Sequence, residues 1–409
     1  MSVERFSIGF GSDAESAAVR VHSLAPGAES VADDVLAIVE DVREHGDGAL
    51  RRYVERFDEA GHDMQVPPDA LEDALDALDP AVRAGLEVAI ANVRAVAEAD
   101  LGSDVEVALP QGQTVKLRDV PVGRAAVYVP GGRAPYPSTV VMGVVTARAA
   151  AVDEVVVCSP GAHPVILAAC ALCGADAVFA MGGAHAVAAL AYGTETVPRA
   201  DVIVGPGNLW VQEAKRLVSG IVGIDGFAGP SDVVVLATPG ADPALVSIDL
   251  AAQAEHGPGT VVCAVSPDPD LLDAIRIEPG EAAAALVDAP DLETALAFAE
   301  AFAPEHLELV GAEAEALAPR VRNAGCLFVG RESATAFGDY VAGSNHTLPT
   351  GGAARFASQL GVRHFRRRMS EVRIGPAAAE LARVAAPIAR AEGFEVHAAS
   401  MEVRENGPR

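Results

Sequence analysis

Apolar residues recur at helical spacing through the first hundred positions. Val35, Ile38, Val39 and Val42 predict a helix with Ser30 as its N-cap, and His45-Gly46-Asp47-Gly48 predicts where it breaks. Leu50 to Phe57 begins the next, so that the first sixty residues read as helices, and Leu86, Ile90, Val93 and Ala97 form a further amphipathic stripe. From about Val115 the pattern changes to short apolar runs closed by glycine. Ala125 to Val129 reads as a strand broken by Pro130-Gly131-Gly132, and Ser138 to Ala151 as an apolar helix. Val155 to Cys158 leads into Ser159-Pro160-Gly161 and a helix from about Pro164. Ala177 to Ala180 leads into Gly182-Gly183, and Val202 to Val204 into Gly205-Pro206-Gly207. Each unit is strand, glycine turn and helix, which predicts a largely parallel sheet.

A second set of strands is expected at Val233–Leu236, Val261–Ala264, Leu307–Val310 and Cys326–Val329. Two clusters flank the stretch from Gly226 to Ser231, so two doubly wound lobes with a cleft between them are expected. The tail reads as an Ala-rich helix from Pro376 to Arg390, then Gly393 and a final extended piece carrying His397. Pro239-Gly240 and Pro267 to Asp270 read as loops.

At 409 residues, half of them hydrophobic, the chain is long enough for two or three domains with a large core, in the α/β class. No apolar run reaches the ~18 residues of a membrane span, and the N-terminus lacks an apolar signal core, so a cytoplasmic protein is expected. A net charge of -27 argues against binding a phosphate backbone. Lys116 and Lys215 are the only lysines, and an acidic, Lys-poor surface resembles those of proteins from salt-loving organisms. A GC-rich genome is the alternative source of the Arg-for-Lys bias. Of the five cysteines, Cys170 and Cys173 have redox-motif spacing but lie in an apolar helical run and read as core.

The candidate chemistry centres on Gln253-Ala254-Glu255-His256-Gly257-Pro258. Residues at i and i+3 share a helix face, so Gln253 and His256 can point at one object, and Gly-Pro ends the helix there. An imidazole beside an amide oxygen suits a zinc-type ion, although one such pair alone is more often structural. Pro304-Glu305-His306 places two proton-transfer groups at a strand entrance, or else a solvated pair. Gly205-Pro206-Gly207-Asn208-Leu209-Trp210 has two glycines at dinucleotide spacing but Trp210 in place of the third, so the standard fingerprint is absent and a plain tight turn is the alternative. Pro130-Gly131-Gly132-Arg133 beside Tyr128 is open to the same two readings. Phe337 to Tyr340 and Gly343 to His346 make a polar loop that offers a carboxylate ligand or is ordinary surface, and His397 read alone is a surface residue.

Taken together and in order, these stretches resemble the histidinol dehydrogenase family over nearly the whole chain. The matching motifs are Tyr128-Val129-Pro130-Gly131-Gly132, Gly205-Pro206-Gly207-Asn208, Ala228-Gly229-Pro230-Ser231, Gln253 to Gly257 and Pro304 to Leu307. They continue with Gly338-Asp339-Tyr340, Gly343 to Gly352 and Glu392 to His397. The resemblance implies an NAD-dependent, zinc-containing enzyme that oxidises L-histidinol through the aldehyde to L-histidine. It further implies a homodimer of two incomplete Rossmann-like lobes, with a helical N-terminal arm, here slightly trimmed, and a C-terminal extension reaching the partner. The expected organisation is an arm at 1–22, a first lobe from 23–127 and 233–362, a second, NAD-side lobe at 128–232, and an extension at 363–409. By the same match Gln253, His256 and Asp339 would bind zinc, with His397 supplied by the other chain. Glu305 and His306 would be the acid/base pair. Ser231 and Glu392 would contact substrate, as would the four zinc ligands and His306. Tyr128 and Asn208 would contact NAD, together with His185, which stands where the family has glutamine. Competing expectations are a related dehydrogenase for another polyol or amino alcohol, a zinc hydrolase using Glu305 as base, and a non-catalytic binder.

Overall fold

The structure, a computed structural model, describes residues 3–9, 14–25, 31–58, 64–131, 134–226 and 229–405. Ser30, Gly132, Arg133 and Ala228 of the stretches above lie outside them. The chain divides into two compact units, one of Met1–Asp100 with Val122–Phe365 and one of Leu101–Pro121 with Arg366–Arg409.

In chain order, strand β1 (Val3–Ser7) is followed by helices up to Ala99 and then by β2 (Val105–Ala108) and β3 (Thr114–Pro121). Five strands alternate with helices next: β4 (Arg124–Tyr128), β5 (Glu154–Cys158), β6 (Ala177–Phe179), β7 (Val202–Val204) and β8 (Gly223–Ile224). A second series comprises β9 (Asp232–Ala237), β10 (Val261–Ser266), β11 (Ala283–Asp288), β12 (His306–Val310) and β13 (Cys326–Val329), before β14 (Arg366–Arg373) and two closing helices.

The larger unit is an α/β fold with two parallel sheets, ordered β6-β5-β4-β7-β8 and β1-β11-β10-β9-β12-β13. The central strands are covered on both faces, which is why they read as unbroken apolar runs. In β4 and β5, Ala125, Val127, Val155 and Val157 enter one core, while Ala126, Tyr128, Val156 and Cys158 enter the core on the opposite face. In the six-stranded sheet Val234, Leu236 and Leu309 face one core, and Val233, Val235 and Val310 the other. Cys170 and Cys173 are buried free thiols, as expected of core residues.

Three readings from the sequence are corrected in this unit. Residues 3–7 form an edge strand, not a helix: Phe6 enters the core and Arg5 pairs with Asp288 at 2.6 Å, in parallel register with β11. The helix Ala14–His22 packs on the same sheet through Ala18 and Val21, so the stretch expected as a separate helical arm at 1–22 shares the core of that lobe. The helices Ala32–Phe57 and Pro80–Ala99 bury Val35, Val39, Leu86 and Val93 against the five-stranded sheet rather than the six-stranded one expected for 23–127. Helical periodicity specifies an apolar face but not which sheet receives it. The break expected in the first of these helices falls at Gly46, with φ at 52°.

In the smaller unit β14, β3 and β2 form an antiparallel sheet, and the helices Ala378–Ala391 and Glu395–Glu402 pack through Ala386, Ala389 and Ala398. The extended piece expected around His397 is therefore helical. Gly393, with φ at 82°, turns the chain, and an Ala-containing stretch restarts a helix after it. Val384, Ile388, Phe394, Val396 and Val403 of this unit are exposed.

Candidate active site

Glycine-containing turns follow four adjacent strands of the five-stranded sheet, β6, β5, β4 and β7, and wall a cavity of about 770 Å3. Gly205, with φ at 117°, closes the turn after β7. A Cβ there would lie 2.1 Å from the carbonyl oxygen of Tyr128, so only glycine permits the approach. Asn208 caps the helix Leu209–Val218 by accepting from the Val211 N–H at 3.2 Å, which leaves a helix N-terminus facing the cavity. The hydroxyl of the buried Tyr128 accepts from the Gly183 N–H at 3.1 Å, and burial pushes that phenol well above its usual range. His185, 2% exposed, donates from Nε2 to Asp58 at 3.0 Å, and Asp58 also accepts from the Gly182 N–H at 3.2 Å. The imidazole stacks against Tyr53 and Phe57 with centroids 5.8 and 6.1 Å away. An imidazole braced by a carboxylate thus occupies the wall at this position. Tyr128, His185 and Asn208 all line the cavity.

The other wall comes from the six-stranded sheet. Ser231 stands at the entrance of β9, Gln253 at the end of the helix Pro243–Ala254, and Glu305 and His306 at the entrance of β12. Ala303, in the left-handed conformation at φ 50°, ends the preceding helix and turns the chain so that Glu305 and His306 enter the strand inward. Asp339 lies on the short helix Thr335–Tyr340, where Gly338 allows close packing on the Phe328 ring.

These side chains form one directed chain of hydrogen bonds. The Ser231 hydroxyl donates to Glu305, Gln253 Nε2 donates to Ser231 Oγ at 2.6 Å, and His306 Nδ1 donates to Gln253 Oε1 at 3.1 Å. A carbonyl oxygen only accepts, so the Nδ1 proton is fixed and Nε2 of the neutral His306 carries the lone pair. Nε2 lies 3.9 Å from the Asp339 carboxylate. Glu305 further accepts from the Asp232 N–H at 3.1 Å, while Asp232 accepts from the N–H groups of Glu305 at 2.7 Å and Gly351 at 3.1 Å.

Burial dominates the electrostatics. It pushes the Glu305 carboxyl up to about 8, with the neighbouring Asp232 acting in the same direction and its hydrogen bonds opposing. Asp232 rises to about 7 and Asp339 to about 6, in the latter case against the pull of His256. His306 falls to about 3, through burial first and then the nearby His256 and His346. The His306–Asp339 approach therefore joins a neutral ring to a carboxyl group at neutral pH, not an ion pair.

Gln253, His256 and Asp339 offer an amide oxygen, an imidazole and a carboxylate. His256 Nδ1 donates to the Gln253 main-chain carbonyl at 3.0 Å, which leaves Nε2 as its ligating atom. This donor set has the chemistry of a zinc site, with no thiolate. Among the described residues no three His, Cys, Asp or Glu side chains gather closely enough to hold an ion by themselves. Glu392 and His397 belong to the smaller unit: Glu392 caps the helix Ala378–Ala391, and the His397 ring lies 5.1 Å from that of Phe394.

Three neighbours escaped the sequence reading. His346 lines the cavity, half-buried, with a buried Nε2 that lacks any partner, and desolvation lowers it to about 4. Asp232 and Asp58 brace Glu305 and His185. His346 sits in a stretch already noted for its glycine spacing, and that was its only signal. The two aspartates carry none.

The profile of the histidinol dehydrogenase family matches residues 25–405. The chain is 42% identical to a histidinol dehydrogenase of Pseudomonas savastanoi over 93% of its length and 92% of that protein. It is 43% identical to one from Haloarcula marismortui, covering 92% of this chain and 94% of the other. The crystal structure of histidinol dehydrogenase from Elizabethkingia anophelis superposes with a TM-score of 0.90 at 28% identity, covering 98% of each chain. The chain belongs to the histidinol dehydrogenase family.

Proposed function

We propose that the protein catalyses the NAD-dependent four-electron oxidation of L-histidinol, through L-histidinaldehyde, to L-histidine, the closing steps of histidine biosynthesis. Family membership supports this reading, and one observation carries it into chemistry: the directed chain Glu305–Ser231–Gln253–His306 opposite glycine turns that carry Tyr128 and Asn208.

Taking an alcohol to an acid requires a hydroxyl proton to leave, two hydride transfers and one addition of water. His306 accepts the hydroxyl proton at Nε2, because its Nδ1 proton is committed to Gln253. Burial keeps this ring neutral, and Asp339 stands 3.9 Å away to balance the charge that arrives. Glu305, once ionised, accepts a proton from the water that attacks the aldehyde, and Ser231 fixes its carboxylate. Zinc, held by Gln253, His256, Asp339 and His397 of the partner subunit, would act as a Lewis acid and orient the amino alcohol. NAD would bind on the five-stranded lobe against Tyr128, His185 and Asn208 and take up hydride in each oxidation.

Ser231 and Glu392 are read as substrate contacts, together with the metal-binding side chains and His306. The protein is read as a homodimer in which Glu392 and His397 complete the partner's site. The exposed Val384, Ile388, Phe394 and Val396 near them support a buried role for that surface. A cytoplasmic location is proposed: no helix among the described residues is long and apolar enough to cross a membrane, and the cysteines are free.

The test is turnover of zinc-loaded protein with NAD and L-histidinol in high salt at alkaline pH. Two NADH per histidinol, with histidine as product, are expected. One NADH would remove Glu305 from its role, and none from histidinol alongside turnover of another alcohol would move the substrate assignment.

A further inference from the structure

Among the described residues that line the cavity there is no lysine or arginine. The N–H groups of Gly182, Gly183 and Gly205 already donate within the protein, so a dinucleotide's phosphates would meet the N-terminus of the helix Leu209–Val218, which the Pro206–Asn208 turn leads into. Main-chain donors act only where the backbone is held, so whatever fixes the turn fixes the cofactor.

One of the two lysines does this from behind. Lys116 pairs with Asp104 at 3.1 Å on the surface, whereas Lys215 is 1% exposed within the helix Leu209–Val218. Its ammonium donates to the Gly205 carbonyl at 3.0 Å and pairs with Asp225. The other oxygen of Asp225 accepts from the Gly205 N–H at 2.6 Å. Both peptide groups of Gly205 are thus gripped by one closed ion pair. The next three residues, Pro206, Gly207 and Asn208, face the cavity. Lys215 itself does not line the cavity. Its charge is compact, and the space between a carbonyl and a carboxylate at this depth suits an ammonium rather than a guanidinium fork. That fits its survival in a chain where arginine supplies almost every other cation. Burying an ion pair is a poor source of stability, and its better-attested use is to select one conformation.

We propose that Lys215 is a positioning residue for the dinucleotide: with Asp225 it clamps Gly205 and so holds the Pro206–Asn208 turn in its cofactor-binding shape. The inference rests on the NAD assignment above. Trp210, the chain's single tryptophan, lines the same cavity and reports binding directly.

The experiment titrates zinc-loaded protein and its Lys215→Met variant with NADH, following Trp210 fluorescence, alongside steady-state kinetics. If the unaltered protein shows neither NADH binding nor NAD turnover, the functional reading itself fails. Given binding, Lys215→Met is expected to weaken NADH at least about tenfold, as loss of a charge-assisted hydrogen bond does. The KM for NAD should rise in parallel, while the KM for histidinol stays within about twofold. Unchanged NADH affinity, or an equal rise in both KM values, overturns the proposal. Lys215→Met leaves Asp225 buried without its cation, so the double variant Lys215→Met with Asp225→Asn removes the charge imbalance but not the loss of the carbonyl contact. Its NADH affinity should stay low even where its melting temperature recovers. Recovery of affinity with the melting temperature would show that Lys215 serves only folding, and would equally overturn the proposal.

Discussion

Gln253 joins the two catalytic strand entrances: its Nε2 donates to Ser231 Oγ at 2.6 Å while its Oε1 accepts from His306 at 3.1 Å. A primary amide offers a donor and an acceptor on one planar group, whereas a carboxylate only accepts. Gln253→Glu would remove the donor and place a carboxylate near Glu305, opposing the ionisation that Glu305 needs. We expect kcat to fall by about two orders of magnitude or more, as for loss of a positioned acid/base group. A variant that retains full kcat would break the assigned direction of the chain.

The pH dependence follows from Glu305. Its carboxyl is pushed up to about 8, so the ionised form that activates water is the minor form at neutral pH and grows as pH rises through that value. His306, lowered to about 3, is neutral across the whole range and contributes no limb. The rate of aldehyde oxidation should therefore climb toward alkaline pH. Glu305→Gln should abolish the climb and lower the rate ~10²–10⁴-fold with zinc content intact. Asp232→Asn takes away the like charge beside Glu305 and should move the limb to lower pH. A limb unmoved in Asp232→Asn would mean that burial alone sets it.

The same shift has a stability consequence of opposite sign. Glu305 titrates higher folded than its ordinary 4.5, so the folded state holds the extra proton. Its contribution is full below about 4.5 and is lost as pH rises through about 8. Metal-free protein should melt lower at pH 9 than at pH 6, and Glu305→Gln should flatten that difference. Equal slopes in the two proteins would contradict the buried, protonated carboxyl.

His346 separates function from stability. An imidazole nitrogen buried without a partner destabilises a fold by ~1–3 kcal/mol, and an apolar side chain of similar size would relieve this. His346→Leu is expected to melt at the same temperature or higher while losing ~10-fold or more in kcat. A variant that melts lower and works normally would make His346 a packing residue.

How much of this was legible in the sequence depended on what each residue faces. β4, β5, β9 and β10 announced themselves because strands covered on both faces must be apolar throughout. β2 and β3 did not, since Glu106 sits opposite Lys116 in an antiparallel pair with much of its surface exposed. β1 was lost for a related reason, having only Phe6 buried among its five residues. Ser231, Gln253, Glu305 and His306 were visible as members of motifs, but the hydrogen bonds joining them span 22 to 74 positions of sequence and exist only once the sheet has formed. Asp58 and Asp232 carry no motif of their own, and closeness alone gives them a role.

The acidic surface makes a prediction about salt. With a net charge of -27, folded compaction works against self-repulsion, which falls as the screening length shrinks to about 3 Å at 1 M salt. The denaturation midpoint should rise steadily with KCl from ~0.1 M to beyond 1 M. A flat response would mean that repulsion among the excess carboxylates does not limit the stability of the fold.

The decisive prediction concerns where the fourth metal donor comes from. If His397 serves its own chain, two chains each carrying one lethal substitution, Glu305→Gln in one and His397→Ala in the other, remain dead in any mixture. If it serves the partner, a mixed dimer behaves differently. The site built on the intact Glu305 receives the intact His397 from the Glu305→Gln chain, and the other site receives both defects. Each mixed dimer then has one working site, and random pairing makes half the dimers mixed, so coexpressed variants should recover about a quarter of wild-type activity. The recovered activity should carry one tightly bound zinc per mixed dimer above the content of the His397→Ala homodimer. No recovery from dimers shown to be mixed would place His397 in its own subunit's site or outside the site altogether.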